Sequence, residues 1–288
     1  NIDGTYTEYE YDKLGRLFRK IDKPSNNKDE YEYYFTYFGQ SFNSVVHKRI
    51  LATAVNGRTT FETKQFFNTH GRLIQTLRRE LPLYDIVDFI EYDVHGRKVR
   101  EYMSFTSANS NGNLVLLPPN IKYTEIKYEA SPLSRITEVT QPDWYPTKYL
   151  YSMNVADDNV KDPQNNYYTV LTPGIYFKET AIDGNGNKII KFTDRKGRLI
   201  LSRQTDNADS PSGGKRKDTY TQYDNKNRPI AIIPPGVTNT QTQQIYEYTY
   251  DAEDKMTGKK VPSKGWTNYW YNNKDLIASV QDKRIQFL

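Results

Sequence analysis

Apolar and polar residues alternate with a period of two along much of this chain. Residues 7–12 read TEYEYD, an extended run resumes at Leu17 after a polar turn, and residues 246–250 repeat the alternation as YEYTY. Tyr, Thr, Val and Ile dominate these segments, while Gly, Asn, Asp and Pro separate them. Period-two alternation between turn residues is typical of half-buried β-strands. The pattern predicts an all-β protein built of antiparallel β-hairpins, with little helix.

A short motif recurs at the turns between these segments. Its first copy, YDKLGRL, runs from Tyr11 to Leu17. The Asp side chain can accept a hydrogen bond from the backbone two residues later, and the Gly supplies the positive φ of a tight turn. We expect Tyr11, Asp12, Gly15 and Arg16 to set turn geometry and interstrand packing. The same role is predicted for their counterparts, Gly71 and Arg72, Tyr92, Asp93, Gly96 and Arg97, Asp194, Gly197 and Arg198, Tyr223, Asp224 and Arg228, and Tyr250 and Asp251.

The copies recur at irregular intervals along the whole chain. Counting looser ones there are eight, including a copy with an insert at residues 128–136 and a last copy at residues 271–276. A minimum interval of roughly 20 to 30 residues suits one hairpin for each copy, with insertions in the longer gaps. We therefore predict one continuous repeat region over residues 1–288.

On these residues the chain resembles the RHS or YD-repeat family, whose unit is YDxxGR followed by a strand. The resemblance extends from Tyr11 to about Leu276. It implies a strip of β-hairpins that curves or spirals into a hollow shell around another polypeptide, which in polymorphic toxins is a C-terminal toxin domain. The insert SPLSR at residues 131–135 and the Tyr- and Asn-rich spacers resemble the divergent RHS proteins of bacteria that use type IX secretion. Secretion or display at the bacterial cell surface is implied in turn.

Composition narrows the possible partners. Only 36% of the residues are hydrophobic while 25 are tyrosines, so burial must rely on tyrosines whose hydroxyls stay wet or find partners. The net charge of +5 is mild and its cations are scattered, which disfavours nucleic acid as a partner. There is no cysteine, and no apolar run reaches the roughly 18 to 20 residues that span a membrane.

The two ends of the sequence lead us to expect a polypeptide partner. The chain begins at Asn1 without Met or an apolar leader and stops soon after repeat-like sequence, so we expect a fragment of a much larger chain. An open hairpin strip exposes sheet edges, and such edges pair with other strands. The expected partners are the rest of its own chain, an enclosed cargo domain, or secretion machinery.

Candidate chemistry is sparse. No motif of a hydrolase, metalloprotease, P-loop or dinucleotide enzyme occurs, and the turn aspartates already have structural roles, so we predict neither catalysis nor a cofactor. His70 and His95 share one slot of the repeat, but a zinc site would need further ligands, so we interpret both as exposed turn residues. Aromatic clusters could instead stack on sugars, which leaves a surface adhesin or carbohydrate-binding module as the alternative. The clusters are Tyr31, Tyr33, Tyr34 and Tyr37, and Trp266, Tyr269, Trp270 and Tyr271.

Overall fold

The computed structural model has an all-β fold, which confirms the prediction made from the alternating pattern. It describes residues 5–23, 25–34, 43–55, 58–81, 84–108, 112–161, 171–206, 216–237, 242–272 and 276–282. Within these ranges there are 21 strands and no α-helix, and two 3₁₀ turns are present at Ala156–Asp158 and Thr242–Gln244. No helix in the described ranges is long and apolar enough to cross a membrane.

The chain divides into two compact units, the first comprising Asn1–Tyr128 with Val139–Asp143. Its strands pair antiparallel with their neighbours in sequence from the first to the seventh. They are β1 Tyr6–Tyr11, β2 Leu17–Lys23, β3 Asn27–Tyr34, β4 Asn43–Val55, β5 Arg58–Phe67, β6 Leu73–Leu81, β7 Tyr84–Tyr92, β8 Lys98–Tyr102, β9 Phe105–Ala108 and β10 Tyr123–Tyr128.

Strand β7 is where the first unit branches. Its C-terminal part, from Ile90 to Tyr92, pairs with β8, and its N-terminal part, from Tyr84 to Val87, pairs with β9. Strand β8 pairs on its other side with β10. One long strand thus supports two short ones, and the chain can leave β9 to form a covering segment before it returns as β10.

The second unit comprises Glu129–Glu138 and Trp144–Leu288. From β12 to β21 each strand pairs antiparallel with the next one in sequence, as expected for successive hairpins. The remaining strands are β11 Ile136–Thr140, β12 Thr147–Met153, β13 Phe177–Ile182, β14 Lys188–Thr193, β15 Leu199–Thr205, β16 Lys217–Tyr223, β17 Pro229–Ile233, β18 Tyr246–Tyr250, β19 Met256–Val261, β20 Gly265–Tyr271 and β21 Ile277–Asp282. Motif hairpins occur in both units, and the single continuous repeat region stays a prediction.

Each unit buries a small apolar cluster under a segment that crosses one face of its sheet. In the first unit Phe66, Leu77 and Val87 form the cluster, and Leu114 and Val115 pack against it. The buried Gln75 side chain fixes this cover, because it accepts a hydrogen bond from the Val115 N–H and donates one to the Val115 carbonyl, both at 2.8 Å. A strand side chain here satisfies backbone groups that the sheet ladder does not reach.

The second unit repeats this arrangement with charged residues. Its cluster is formed by Val160, Ile190, Phe192, Leu201, Tyr220 and Ile233. The buried Arg203 guanidinium binds both carboxylate oxygens of Asp218 at 2.7 Å and donates to the Asp158 carbonyl at 2.6 Å. Lys178 in turn donates to the Asp158 carboxylate at 2.5 Å. Because a buried guanidinium needs its donors satisfied, these bonds hold residues 154–161 against the sheet.

Neighbouring isoleucines on β14 test this assignment of the core, because successive strand residues point to opposite faces. Ile190 is 9% exposed and belongs to the cluster, while Ile189 is 47% exposed. We expect Ile190→Ala to lower the free energy of unfolding by about 2–5 kcal/mol. The matched control Ile189→Ala should cost about 1 kcal/mol or less. Urea unfolding followed by circular dichroism measures both, and equal losses would show that the two faces are equally covered.

Candidate functional site

The recurring turn is a short hairpin loop closed by its own aspartate. At the first copy, the Asp12 N–H donates to the Arg16 carbonyl at 2.9 Å, and the Gly15 N–H donates to the Asp12 carbonyl at 3.0 Å. Gly15 has φ +76°, and the strand register shifts between Glu10 and Tyr11. A tight turn followed by a left-handed glycine and a bulge matches the right-handed twist of the flanking strands.

The Asp12 carboxylate carries most of the turn's side-chain bonds. Its Oδ1 accepts from the Leu14 N–H at 2.8 Å and from the Arg16 N–H at 2.9 Å. Its Oδ2 accepts from the Arg16 guanidinium, through Nε at 2.7 Å and through a terminal nitrogen at 2.6 Å. These bonds stabilise the ionised form, so the Arg16 backbone and guanidinium lower the pKa of Asp12. One carboxylate thereby joins the turn backbone to the arginine.

The same geometry recurs where the motif is complete. Asp93, Asp194 and Asp224 each accept from two backbone N–H groups and from the Nε of the arginine four residues later. Their pKa values are lowered by these bonds despite the opposing effect of partial desolvation. The equivalent glycines, Gly71, Gly96 and Gly197, have φ between +73° and +78°, and Asn227 takes the same position with φ +65°.

Three copies have another residue in place of the Asp, and Asn272 in the last copy accepts from the Leu276 N–H at 3.0 Å. Asn68 accepts the two backbone bonds but has no charge with which to pair Arg72. In the copy with the insert, Glu129 replaces Asp and spans the longer loop, binding both Nε and a terminal nitrogen of Arg135 at 2.8 Å and accepting from Ser131 at 2.6 Å. The Arg135 side chain and then Ser131 lower the pKa of Glu129 to about 2.

The tyrosines contact the turn of an earlier hairpin rather than the turn that directly follows them in the sequence. Tyr33, on the strand beside β2, donates its hydroxyl hydrogen bond to the Leu17 carbonyl at 2.9 Å. The guanidinium of Arg16 lies over the Tyr33 ring, 4.5 Å from its centroid. We call this arrangement the tyrosine clasp: a Tyr on the next strand over binds the first carbonyl after a turn and lies under the cation of that turn.

Seven tyrosine clasps occur within the described ranges. Their hydroxyl-to-carbonyl distances are 2.8–3.1 Å and their cation-to-centroid distances are 4.3–5.9 Å. Partial burial raises the pKa of Tyr151, Tyr223 and Tyr250, and the protonated hydroxyl is the form that donates to the carbonyl. The pairs of cation and Tyr are Arg16 and Tyr33, Arg72 and Tyr92, Arg97 and Tyr128, Arg135 and Tyr151, Arg198 and Tyr223, Arg228 and Tyr250, and Lys255 and Tyr271.

The arginine of one turn also reaches the following turn. Arg228 donates to the Asp254 carboxylate at 2.6 Å, and Arg198 donates to the Asn227 side chain at 3.3 Å. A Cβ added at Gly96 would lie 1.8 Å from the Arg72 guanidinium. In all three cases the contacted residue holds the left-handed position of the next turn. This position therefore needs a small or hydrogen-bonding side chain for packing as well as for its φ.

The tyrosine clasp was only partly visible in the sequence. The repeat picked out Tyr92, Tyr223 and Tyr250 through the Asp that follows them, but assigned them to their own turns. Tyr33 and Tyr151 are followed by Tyr and Ser and were missed as repeat residues. The available signal was position, because each of these tyrosines lies within the last three residues of a strand that comes one strand after a motif turn.

The aromatic clusters are largely explained by packing. Tyr31 stacks on His47 with ring centroids 4.7 Å apart, Tyr34 donates to Glu32 at 2.7 Å, and Tyr271 belongs to a tyrosine clasp. Trp270 is half-exposed. Tyr37 lies outside the described residues.

Neither histidine of the repeat takes part in a metal site within the described ranges. His70 and His95 have exposed side chains, and their backbone N–H groups donate to the turn residues Asn68 and Asp93. No group of three or more His, Cys, Asp or Glu residues in these ranges is arranged to hold a metal ion.

Glu129 supplies a test by pH. Because its pKa is lowered in the folded state, its carboxylate stabilises the fold fully above the ordinary value near 4.5, and this stabilisation is lost as pH falls through about 2. We expect the difference in melting temperature between the wild type and Glu129→Gln to be constant above about pH 5 and to shrink between pH 4.5 and 2. A difference that does not change over this window would contradict the ion pair. Calorimetry at a series of pH values measures it.

Tyr223 tests the tyrosine clasp itself. Tyr223→Phe keeps the ring under Arg198 but removes the bond to the Leu199 carbonyl, so the free energy of unfolding should fall by about 1 kcal/mol. The control Tyr145→Phe, on a side chain that is 77% exposed, should stay within about 0.5 kcal/mol of the wild type. A double-mutant cycle of Tyr223→Leu, which removes the ring, with Arg198→Ala measures the coupling between the ring and the cation. Strict additivity would show that cation and ring do not interact.

Comparison with known proteins finds one family model and several solved structures that are similar to this chain. A family model described as a domain of unknown function (DUF6443) matches residues 40–154. No curated protein matches the chain. The crystal structure of TcdB2-TccC3 is similar over 95% of this chain, with a TM-score of 0.61 and 11% identity, and that of TcdB2-TccC3-TEV over 84%, with a TM-score of 0.59 and 12% identity. This chain spans 17% and 12% of those chains, and at this identity the likeness shows a shared all-β fold.

Proposed function

We propose that this chain is a non-catalytic structural segment of a large RHS-like protein, in which it forms part of a β-shell wall around a cargo or C-terminal domain. The tyrosine clasp carries the proposal. It joins seven of the motif hairpins to the next strand through a hydrogen bond and a cation–π contact, which is what a wall one sheet thick needs in place of a thick apolar core.

The distribution of polar groups supports a structural role. The turn carboxylates are occupied by their own backbone and arginine, and the tyrosine hydroxyls by carbonyl groups of the neighbouring hairpin. Groups committed in this way are poorly placed to act as general acids, bases or nucleophiles, which need access to a substrate. The repeat residues are thus best used as connectors.

The context of the proposal comes from resemblance. The motif YDxxGR implies enclosure of another polypeptide, and the insert at residues 131–135 implies a secreted or surface-exposed protein of a bacterium with type IX secretion. The likeness of fold to TcdB2-TccC3 supports the same architecture. The proposed partners follow: the remainder of its own chain, the enclosed cargo, and the machinery that exports it.

A surface adhesin is the second candidate, favoured by one specific observation. Trp144 and Tyr145 are adjacent in the connection between β11 and β12, and their side chains are 75% and 77% exposed. Exposed aromatic rings can stack on sugars. Binding to immobilised glycans that is lost in Trp144→Ala would support this candidate over the shell segment.

Proteolysis of the full-length gene product tests enclosure. We expect a protected fragment in the wild type and in the control Tyr145→Phe, because an enclosed polypeptide is shielded from trypsin. The double variant Tyr223→Leu and Arg228→Ala removes two tyrosine clasps and should expose that fragment to cleavage. Mass spectrometry identifies the fragment. Equal cleavage in all three proteins, or an image by electron microscopy in which these strands border no enclosed volume, would refute the proposal.

A further inference from the structure

The tyrosine of the first motif copy has no clasp. Tyr11 is 62% exposed, and within the described ranges no cation lies over its ring and its hydroxyl has no hydrogen-bond partner. Its strand, β1, pairs on one side with β2 and shows no other pairing in the described part of the chain. Tyr6 and Tyr9 on the same strand are also more than half exposed. A sheet edge with three exposed aromatic rings is an adhesive surface.

The turn that follows Tyr11 also has unoccupied space beside it, at its left-handed residue Gly15. In three turns that directly follow a clasped tyrosine, the cation of the previous hairpin covers the left-handed position: Arg72 at Gly96, Arg198 at Asn227 and Arg228 at Asp254. Where the slot before the Asp or Asn holds Phe67 or Thr193, nothing lies within 4 Å of a Cβ added at Gly71 or Gly197. Gly15 follows a tyrosine and is nevertheless open. The first copy thus has the residue that receives a cation and the space for it.

We propose that the β1 edge is a docking surface for a β-hairpin of the same repeat type, supplied by polypeptide outside residues 5–282. Its occupant would pair antiparallel with β1, place an Arg or Lys over the Tyr11 ring and above Gly15, and accept the Tyr11 hydroxyl bond at the carbonyl after that cation. The seven tyrosine clasps define this chemistry. The inference deepens the proposed structural role by naming the partner of one edge.

A second copy of this chain does not fit that description. Within the described ranges, each cation that follows a motif turn already lies over a tyrosine of its own chain. At the last copy, the turn from Asn272 to Leu276 carries Leu in place of the cation. A second copy would therefore offer strand edges but no unengaged cation beside a carbonyl. The occupant is a hairpin whose cation has no clasp of its own.

An extended version of the chain tests the surface. Residues 216–245, which contain the hairpin that Tyr250 clasps, are added directly before Thr7, so that Tyr11 takes the place of Tyr250 relative to the added hairpin. We expect hydrogen exchange at the backbone amides of β1 to slow by at least about fivefold, the factor that one net hydrogen bond supplies. Tyr11→Phe should reverse most of this protection in the extended chain and leave the melting temperature of the original chain unchanged.

Two matched controls separate the tyrosine clasp from simple extension. Tyr9→Phe, on the same strand, should leave the protection intact, and Arg228→Ala in the added copy should remove as much of it as Tyr11→Phe. Equal effects of Tyr9→Phe and Tyr11→Phe, or unchanged exchange on extension, would overturn the proposal. These exchange measurements test only the β1 edge. The proteolysis of the full-length protein tests enclosure and can give either outcome whatever the exchange shows.

A measurement in trans covers the case in which the extended chain does not fold. A cyclised peptide of residues 217–233 is titrated into the original chain, and amide chemical shifts of β1 are followed by NMR. Shifts confined to β1 and the turn after it, and absent with the Arg228→Ala peptide, would support the surface. No shift at millimolar peptide would overturn it. Dimerisation of the original chain that Tyr11→Phe abolishes would identify a second copy as the occupant and overturn the proposal as well.

Discussion

The tyrosine clasp is the interaction on which the rest of the structure depends. A sheet of hairpins with only small apolar clusters on one face gains little from burial, and the backbone ladder alone does not distinguish one register from another. Where it occurs, the clasp adds a directional bond and a cation–π contact at the same place of the repeat. It specifies which strand lies beside each hairpin and in which register the two pair. The small apolar clusters around Phe66 and Phe192 then serve to pack the covering segments against the sheet.

The turn residues vary among the copies of the repeat, whereas the tyrosine of the clasp does not. The Asp of the turn is replaced by the neutral Asn at position 68 and by Glu at position 129, where the loop is longer. The cation changes from Arg to Lys at position 255. In each clasp the ring with a hydroxyl remains, because phenylalanine would lose the carbonyl bond and an aliphatic residue would lose both contacts. Variation is therefore tolerated within a hairpin and limited between hairpins.

The sequence predicted the fold well because its signal is local. Period-two alternation and the positive-φ glycines act within one hairpin, so the all-β antiparallel architecture follows from neighbouring residues. The partner of each tyrosine could not be predicted in the same way, because it depends on the pairing of strands that the motif does not encode. The buried contacts of Gln75 with Val115 and of Arg203 with Asp158 were also out of reach, since they join residues 40 and 45 positions apart. Polar residues within alternating strands gave no sign of burial.

The order of the two partners in each tyrosine clasp has a consequence for biosynthesis. In every clasp the carbonyl acceptor precedes the tyrosine, by 15 to 30 residues. A chain that emerges from the ribosome or from an export channel N-terminus first has thus completed the acceptor turn before its tyrosine arrives. Contacts of such short range also close quickly. The array is suited to vectorial assembly, in which each finished hairpin is the template for the next strand.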